Sequence, residues 1–138
     1  MNYPCIDTNV VVRYLVDTPQ TIAPRFRGVF DFFGKLEEGA QKVFMPDIVL
    51  FQVYFVLTSY YNVPAALAAE KLEGIVQLRG IHTSEKQALV ETLETLQSEN
   101  LDIVDAYLLA YSRIRGISGV YSFDGDFTAR GLALMKVE

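Results

Sequence analysis

The chain has no tryptophan, one cysteine and one histidine, and no apolar run long enough to cross a bilayer. A single cysteine cannot close an intrachain disulfide, and the absence of a CxxC pair or a Cys/His cluster removes a structural zinc site. A reducing, cytoplasmic setting is the expectation. The segment from Met1 to Val16 lacks a basic leader region and is interrupted by Asp7, Asn9 and Arg13, so no secretory signal is expected there. Ile48 to Leu57 is apolar but broken by Gln52, and it falls short of the roughly 20 residues a membrane span needs. Also missing are GxxxxGK[ST], GxGxxG, GxSxG and HExxH, which removes the P-loop, dinucleotide-binding, nucleophile-elbow and zincin readings.

What is present is core material. Hydrophobic residues make up 51% of 138 positions and charged residues 21%, enough apolar surface for one domain over residues 1–138 and too much for general disorder. The net charge is −5, and its distribution is uneven. Glu85, Glu91, Glu94, Glu99, Asp102 and Asp105 face a single base, Lys86, so this one stretch carries the whole excess. An acidic chain is a poor coat for duplex DNA, which needs a basic face. It remains compatible with an enzyme that holds cations on carboxylates.

Short apolar runs alternate with helical patterns. Tyr3 to Ile6 predicts a buried strand ending at Asp7, and Val10, Val11, Tyr14 and Leu15 follow at helical spacing with Thr8 or Asn9 as N-cap. Phe26, Val29, Phe30, Phe33 and Leu36 form a second stripe ending before Gly39. Val43 to Met45 predicts a brief strand, and Pro46 opens a third helix through Leu57. Another helix follows from Ala65 to Leu78, then a strand at Gly80 to Thr83 and a helix capped by Ser84. Asn100 or Asp102 opens a helix to Arg115, closed by Gly116. Gly119 to Phe123 predicts a second buried strand, and Leu132 to Val137 an edge strand. Such alternation implies a three-layer α/β/α domain around a short parallel sheet.

Ligands of open α/β sheets sit at the carboxyl ends of the strands. Asp7 and Asp124 end two of the predicted strands, Asp126 follows Asp124, and Asp102 and Asp105 share one face of a helix start. Together these segments predict three to five carboxylates in one pocket. Two carboxylates about 5 Å apart repel by roughly 3 kcal/mol at an effective dielectric of about 20. A hard divalent cation, Mg²⁺ or Mn²⁺, is the natural partner of such an all-oxygen set, and it favours phosphodiester hydrolysis.

Plainer roles compete. Asp102 reads best as an N-cap, Asp105 equally as a first-turn acid or a site carboxylate, and Asp124-Gly125-Asp126 as an ordinary turn. Asp7, directly after an apolar strand, has the least obvious structural role. His82 reads as a strand-edge residue, Cys5 as a packed small hydrophobe, and Arg113, Arg115 and Arg130 as solvated surface before phosphate ligands.

The segments Cys5-Ile6-Asp7-Thr8-Asn9, Leu101-Asp102-Ile103-Val104-Asp105-Ala106 and Val120-Tyr121-Ser122-Phe123-Asp124-Gly125-Asp126-Phe127 stand in an order and spacing that resembles the PIN domain. That is the fold of small metal-dependent ribonucleases, including the toxin half of VapBC-type toxin-antitoxin pairs. The resemblance implies that Asp7, Asp105 and Asp124 hold Mg²⁺ or Mn²⁺ with Asp126 assisting, while Thr8, Asn9 and Ser122 orient ligands or water. It further implies an RNA substrate, an antitoxin partner and a homodimer. One corner departs from the pattern: Gln52 stands where the family has Glu, so a full negative charge is missing there. Asp47 lies five residues earlier, about 140° around the helix from Gln52, and is a poor substitute. The competing reading is a catalytically silent PIN-fold protein that binds RNA or a protein. A haloacid-dehalogenase-type phosphatase ranks below both, because Asn9 occupies the place of its second Asp.

Overall fold

A computed structural model describes residues 2–138. Seven helices and four short strands follow one another: α1 (Thr8–Val16), α2 (Val29–Glu38), β1 (Val43–Phe44), α3 (Asp47–Phe55), α4 (Ala65–Val76), β2 (Ile81–His82), α5 (Lys86–Ser98), α6 (Ile103–Arg115), β3 (Gly119–Tyr121), α7 (Asp126–Ala129) and β4 (Ala133–Met135). The fold is three-layer α/β/α with short parallel strands, as the alternation predicts.

Local chemistry sets the helix ends. Asp7, rather than Thr8 or Asn9, is the N-cap of α1, its carboxylate accepting from the Thr8 N–H at 2.7 Å. Asp17 closes the same helix and pairs with Arg13 one turn back at 2.9 Å. Gly39 and Gly116 end α2 and α6 in the left-handed region, at φ 80° and 68°, where a side chain would be strained. Pro46 and Pro64 precede α3 and α4. The helix after Pro46 reaches Phe55 and continues as a wider π turn over Val56–Tyr60. The α5 helix starts at Lys86 with Glu85 as its cap residue and no side-chain cap, so Ser84 does not act as predicted.

One apolar cluster joins these elements. Leu50, Val53 and Leu57 follow the inner side of α3 and its π turn, and Leu72 and Val76 of α4, Leu89 and Leu93 of α5, and Phe33 and Leu36 of α2 complete it. Fully burying one such side chain contributes about 1.5–3 kcal/mol. Tyr14 stacks on Phe33 with ring centroids 4.0 Å apart, fixing α1 against α2.

The strands divide into two ladders. β1 and β2 pair in parallel with Val43 opposite Ile81, and the predicted first strand contributes only a bridge from Cys5 to Phe44. Its backbone still bonds β1, the Phe44 N–H donating to the Pro4 carbonyl and the Ile6 N–H to the Phe44 carbonyl. Ile6 is buried, but Cys5 is exposed and so is not the packed hydrophobe expected of it. β3 and β4 pair only with each other, with Val120 opposite Leu134. The predicted buried strand at Gly119–Phe123 is therefore shorter and wetter: Tyr121 is exposed, and Phe123 is 90% exposed. Phe127 and Leu132 are the two buried apolar anchors of this terminal segment.

Candidate metal centre

The first turn of α6 carries the acidic half of the site. Asp102 is its N-cap, accepting from the Val104 N–H at 2.8 Å, as its sequence position suggests. Asp105 lies one turn on, half-buried. Burial raises its carboxyl above the ordinary value, and the nearby charges of Asp102, Asp124 and Asp126 raise it further. The sequence-distant pair Asp124 and Asp126 thus shares an electrostatic neighbourhood with α6.

Asp124 sits on the turn between β3 and α7, and Asp126 is the first residue of α7. The Ser122 hydroxyl accepts from the Asp124 N–H at 3.0 Å, and the Asp124 carboxylate accepts from the Asp126 N–H at 2.9 Å. This is the local turn chemistry expected of Asp-Gly-Asp, and it presents both acids to solvent.

A second group lies where α1 meets α3. Asp7 caps α1, the buried Thr8 hydroxyl donates to the Gln52 side-chain oxygen at 2.7 Å, and Gln52 itself is exposed. Asn9, next along α1, is also exposed. Helix α3 links the two groups. Tyr54 is buried, and burial followed by the charge of Asp102 raises its phenol.

Asp47, in the first turn of α3, faces α6 and accepts a hydrogen bond from the Tyr107 hydroxyl at 2.9 Å. Burial, with help from this bond and the Asp47 charge, holds the Tyr107 phenol well above its ordinary range, so it remains a donor. The other Asp47 oxygen, Oδ1, is buried without a partner. The sequence did not signal this cross-helix bond, because 60 residues separate its partners.

Among the described residues, no three His, Cys, Asp or Glu side chains converge closely enough to hold a metal ion. Of the acids expected in one pocket, Asp102, Asp124 and Asp126 lie near enough to Asp105 to act on it by charge, without forming a closed ligand set. Among the described residues, Asp7 follows the strand bonded to β1 and Asp124 follows β3, in a separate ladder. The donor chemistry suits a hard cation, since every candidate donor is an oxygen and the charges of Asp102, Asp124 and Asp126 all oppose ionisation of Asp105.

The remaining sequence candidates have structural partners. Arg113 pairs with Glu91 at 2.7 Å, Arg130 with Glu99 at 2.9 Å, and Arg115 with Glu85. The acidic stretch is thereby partly neutralised along α5, and the surface reading of the three arginines holds. His82 lies on β2 with its ring 4.6 Å from that of Tyr3.

Comparison with known proteins decides the family: the PIN domain description matches residues 5–131. The chain belongs to the PIN domain family. This PIN chain is also 30% identical over 78 residues to the 23S rRNA-specific endonuclease VapC20 of Mycobacterium tuberculosis, in strains CDC 1551 / Oshkosh and ATCC 25618 / H37Rv alike. The match covers 56% of the chain and 60% of the relative, so less than two thirds of the relatives' length is spanned. No solved structure matches. Among the described residues, no helix is long and apolar enough to cross a membrane.

Proposed function

We propose that this PIN domain is a divalent-metal-dependent endoribonuclease, the toxin component of a toxin-antitoxin pair. The observation that carries the reading is the crowding of Asp105 by Asp102, Asp124 and Asp126 at the first turn of α6 in a PIN-family chain. Likeness to an endonuclease acting on 23S rRNA supports RNA as the substrate class. Asp105, Asp124 and Asp126 would hold Mg²⁺ or Mn²⁺, with Asp7 the fourth carboxylate. When bound, the cation lowers the pKa of a water and neutralises charge on the attacked phosphate. Asp102 holds the helix start in place, Ser122 fixes the turn that carries Asp124, and Thr8 orients Gln52. An antitoxin covering the carboxylates, a homodimer, a cytoplasmic setting and a single domain over residues 1–138 belong to the same reading.

The test is cleavage of RNA by purified protein in Mn²⁺, in Mg²⁺ and in EDTA, beside Asp105→Asn. Cleavage that needs metal and is lost in the variant supports the proposal. Wild type that is inert in both metals, with no gain from Gln52→Glu, would overturn it.

One observation favours a second reading. Gln52 is neutral and already engaged by Thr8, so a charge that a cation would use is replaced by a hydrogen bond. A weakened or silent PIN protein that acts by binding RNA is the alternative, and calorimetric titration with Mn²⁺ separates the two. Absence of binding at millimolar metal would favour the silent protein.

A further inference from the structure

One cavity, none of whose lining residues comes from α6, lies between α1 and the segment leading into α2. It measures about 690 Å³, within the size range of ligand pockets. Val10, Phe26 and Phe32 give it an apolar lining, Arg13 and Arg25 give it charge, and Asn9 places it two residues beyond Asp7. No acid lines it.

Its charge is unusual for this chain. Arg13 is held by Asp17 and by the Tyr61 hydroxyl, and Arg113, Arg115 and Arg130 are each paired with a glutamate. Among the described residues, Arg25 has no carboxylate partner. Its guanidinium lies 4.5 Å from the centre of the Phe26 ring, which is itself partly exposed, on the short 3-10 turn Pro24–Phe26. Arg27, just after that turn, is exposed and also without a carboxylate partner. Among the described residues Arg79 likewise has no carboxylate partner, but Arg25 and Arg27 stand together beside an aromatic-lined groove that opens next to the Asp7 segment.

We propose that this groove seats a nucleotide of single-stranded RNA flanking the bond to be cut, its base on the Phe26 and Phe32 side and its phosphate on Arg25. The proposal rests on the ribonuclease reading for its substrate class. Unpaired bases stack on aromatic rings and guanidinium planes whatever their identity, and the backbone follows positive charge. A neutral apolar ligand would leave Arg25 unused. Duplex RNA would not offer a free base face to the groove.

The probe is a 5′-fluorescein-labelled single-stranded RNA of about 12 nucleotides, within the span such sites cover. Its binding is followed by anisotropy in EDTA, so that cleavage does not intervene, over a series of salt concentrations. Phe26→Ala should weaken binding by roughly tenfold, the effect of losing one stacked base. Arg25→Ala should weaken it and reduce the salt slope by about one, and Arg25→Lys should restore the slope but not the full affinity. Both side chains are exposed, and circular dichroism melts should match wild type.

Cleavage by wild type in Mn²⁺ is scored separately. Normal cleavage with unchanged affinity and slope in all three variants overturns the groove proposal and leaves the nuclease reading standing. Loss of binding in the variants with no cleavage in any metal keeps the groove and removes the nuclease. Wild type that fails to bind the RNA overturns the groove. So does sedimentation showing that Phe26→Ala dissolves a dimer while RNA affinity is unchanged, because the groove is then a protein interface.

Discussion

Asp7 and Asp105 are both acids at the start of a helix, and their surroundings differ. The carboxylate of Asp7 caps α1, and beside it the Thr8 hydroxyl satisfies the Gln52 amide. That region is stabilised by neutral and charge-assisted hydrogen bonds. Asp105 has Asp102, Asp124 and Asp126 for neighbours, and its burial and their charge both work against its ionisation. The contrast separates two ways of treating a carboxylate: one uses it to complete a helix, the other leaves it in excess. Excess negative charge is what a cation offsets, so the α6 region is where metal dependence should be measured.

The sharpest way to break this contrast is Asp105→Asn. RNA cleavage should fall by roughly 10³-fold or more, the several kcal/mol a metal supplies to such a reaction. Stability should move the other way. Because the folded carboxyl is raised, the folded state holds its proton more tightly than the unfolded chain does. Stability from this group is therefore greatest in acid and declines as pH rises from the ordinary carboxyl value of 3.8 through the raised one. Melting curves across that range should show a shallower decline in the variant. Mn²⁺ at a hundred times its Kd should stabilise wild type by about 2.7 kcal/mol and the variant by less.

Next in size is Tyr107→Phe. It strips the hydrogen-bond partner of a half-buried carboxylate whose other oxygen is buried without one, and should cost about 1–3 kcal/mol in urea unfolding. Gln52→Glu tests the other side of the comparison. Thr8 can donate to a carboxylate as well as to an amide, so the fold should hold while Mn²⁺ affinity rises roughly tenfold by calorimetry. If affinity is unchanged, the α1 and α3 group takes no part in metal binding. Arg130→Ala should have the smallest effect, under about 1 kcal/mol, since its pair with Glu99 is solvent-exposed.

Helices were the most legible feature of the sequence, because their signals are local. Asp102 and Gly116 bracket α6, and Gly39 ends α2, as the residue types alone indicate. The short strands were legible in position but not in pairing. Nothing in Gly119 to Phe123 reveals that its only partner is β4, since pairing depends on residues distant in the chain. For the site, the motif segments located the acids. Their placement around the first turn of α6 depends on long-range packing, which the motifs do not encode. Arg25 carried no periodic signal, and Phe26 reads in the sequence as the first residue of the α2 stripe although it lies partly exposed on the 3-10 turn before that helix.

The terminal ladder has a consequence for motion. β4 is exposed throughout, and the segment that carries Asp124 and Asp126 is anchored by Phe127 and Leu132. Few buried contacts mean a low free energy of local opening. Amide protons of β3 and β4 should therefore exchange with deuterium well before those of β1 and β2, whose strands adjoin the core at Val43, Met45 and Ile81. Two of the four acids around α6 would then ride on the part of the molecule that opens first.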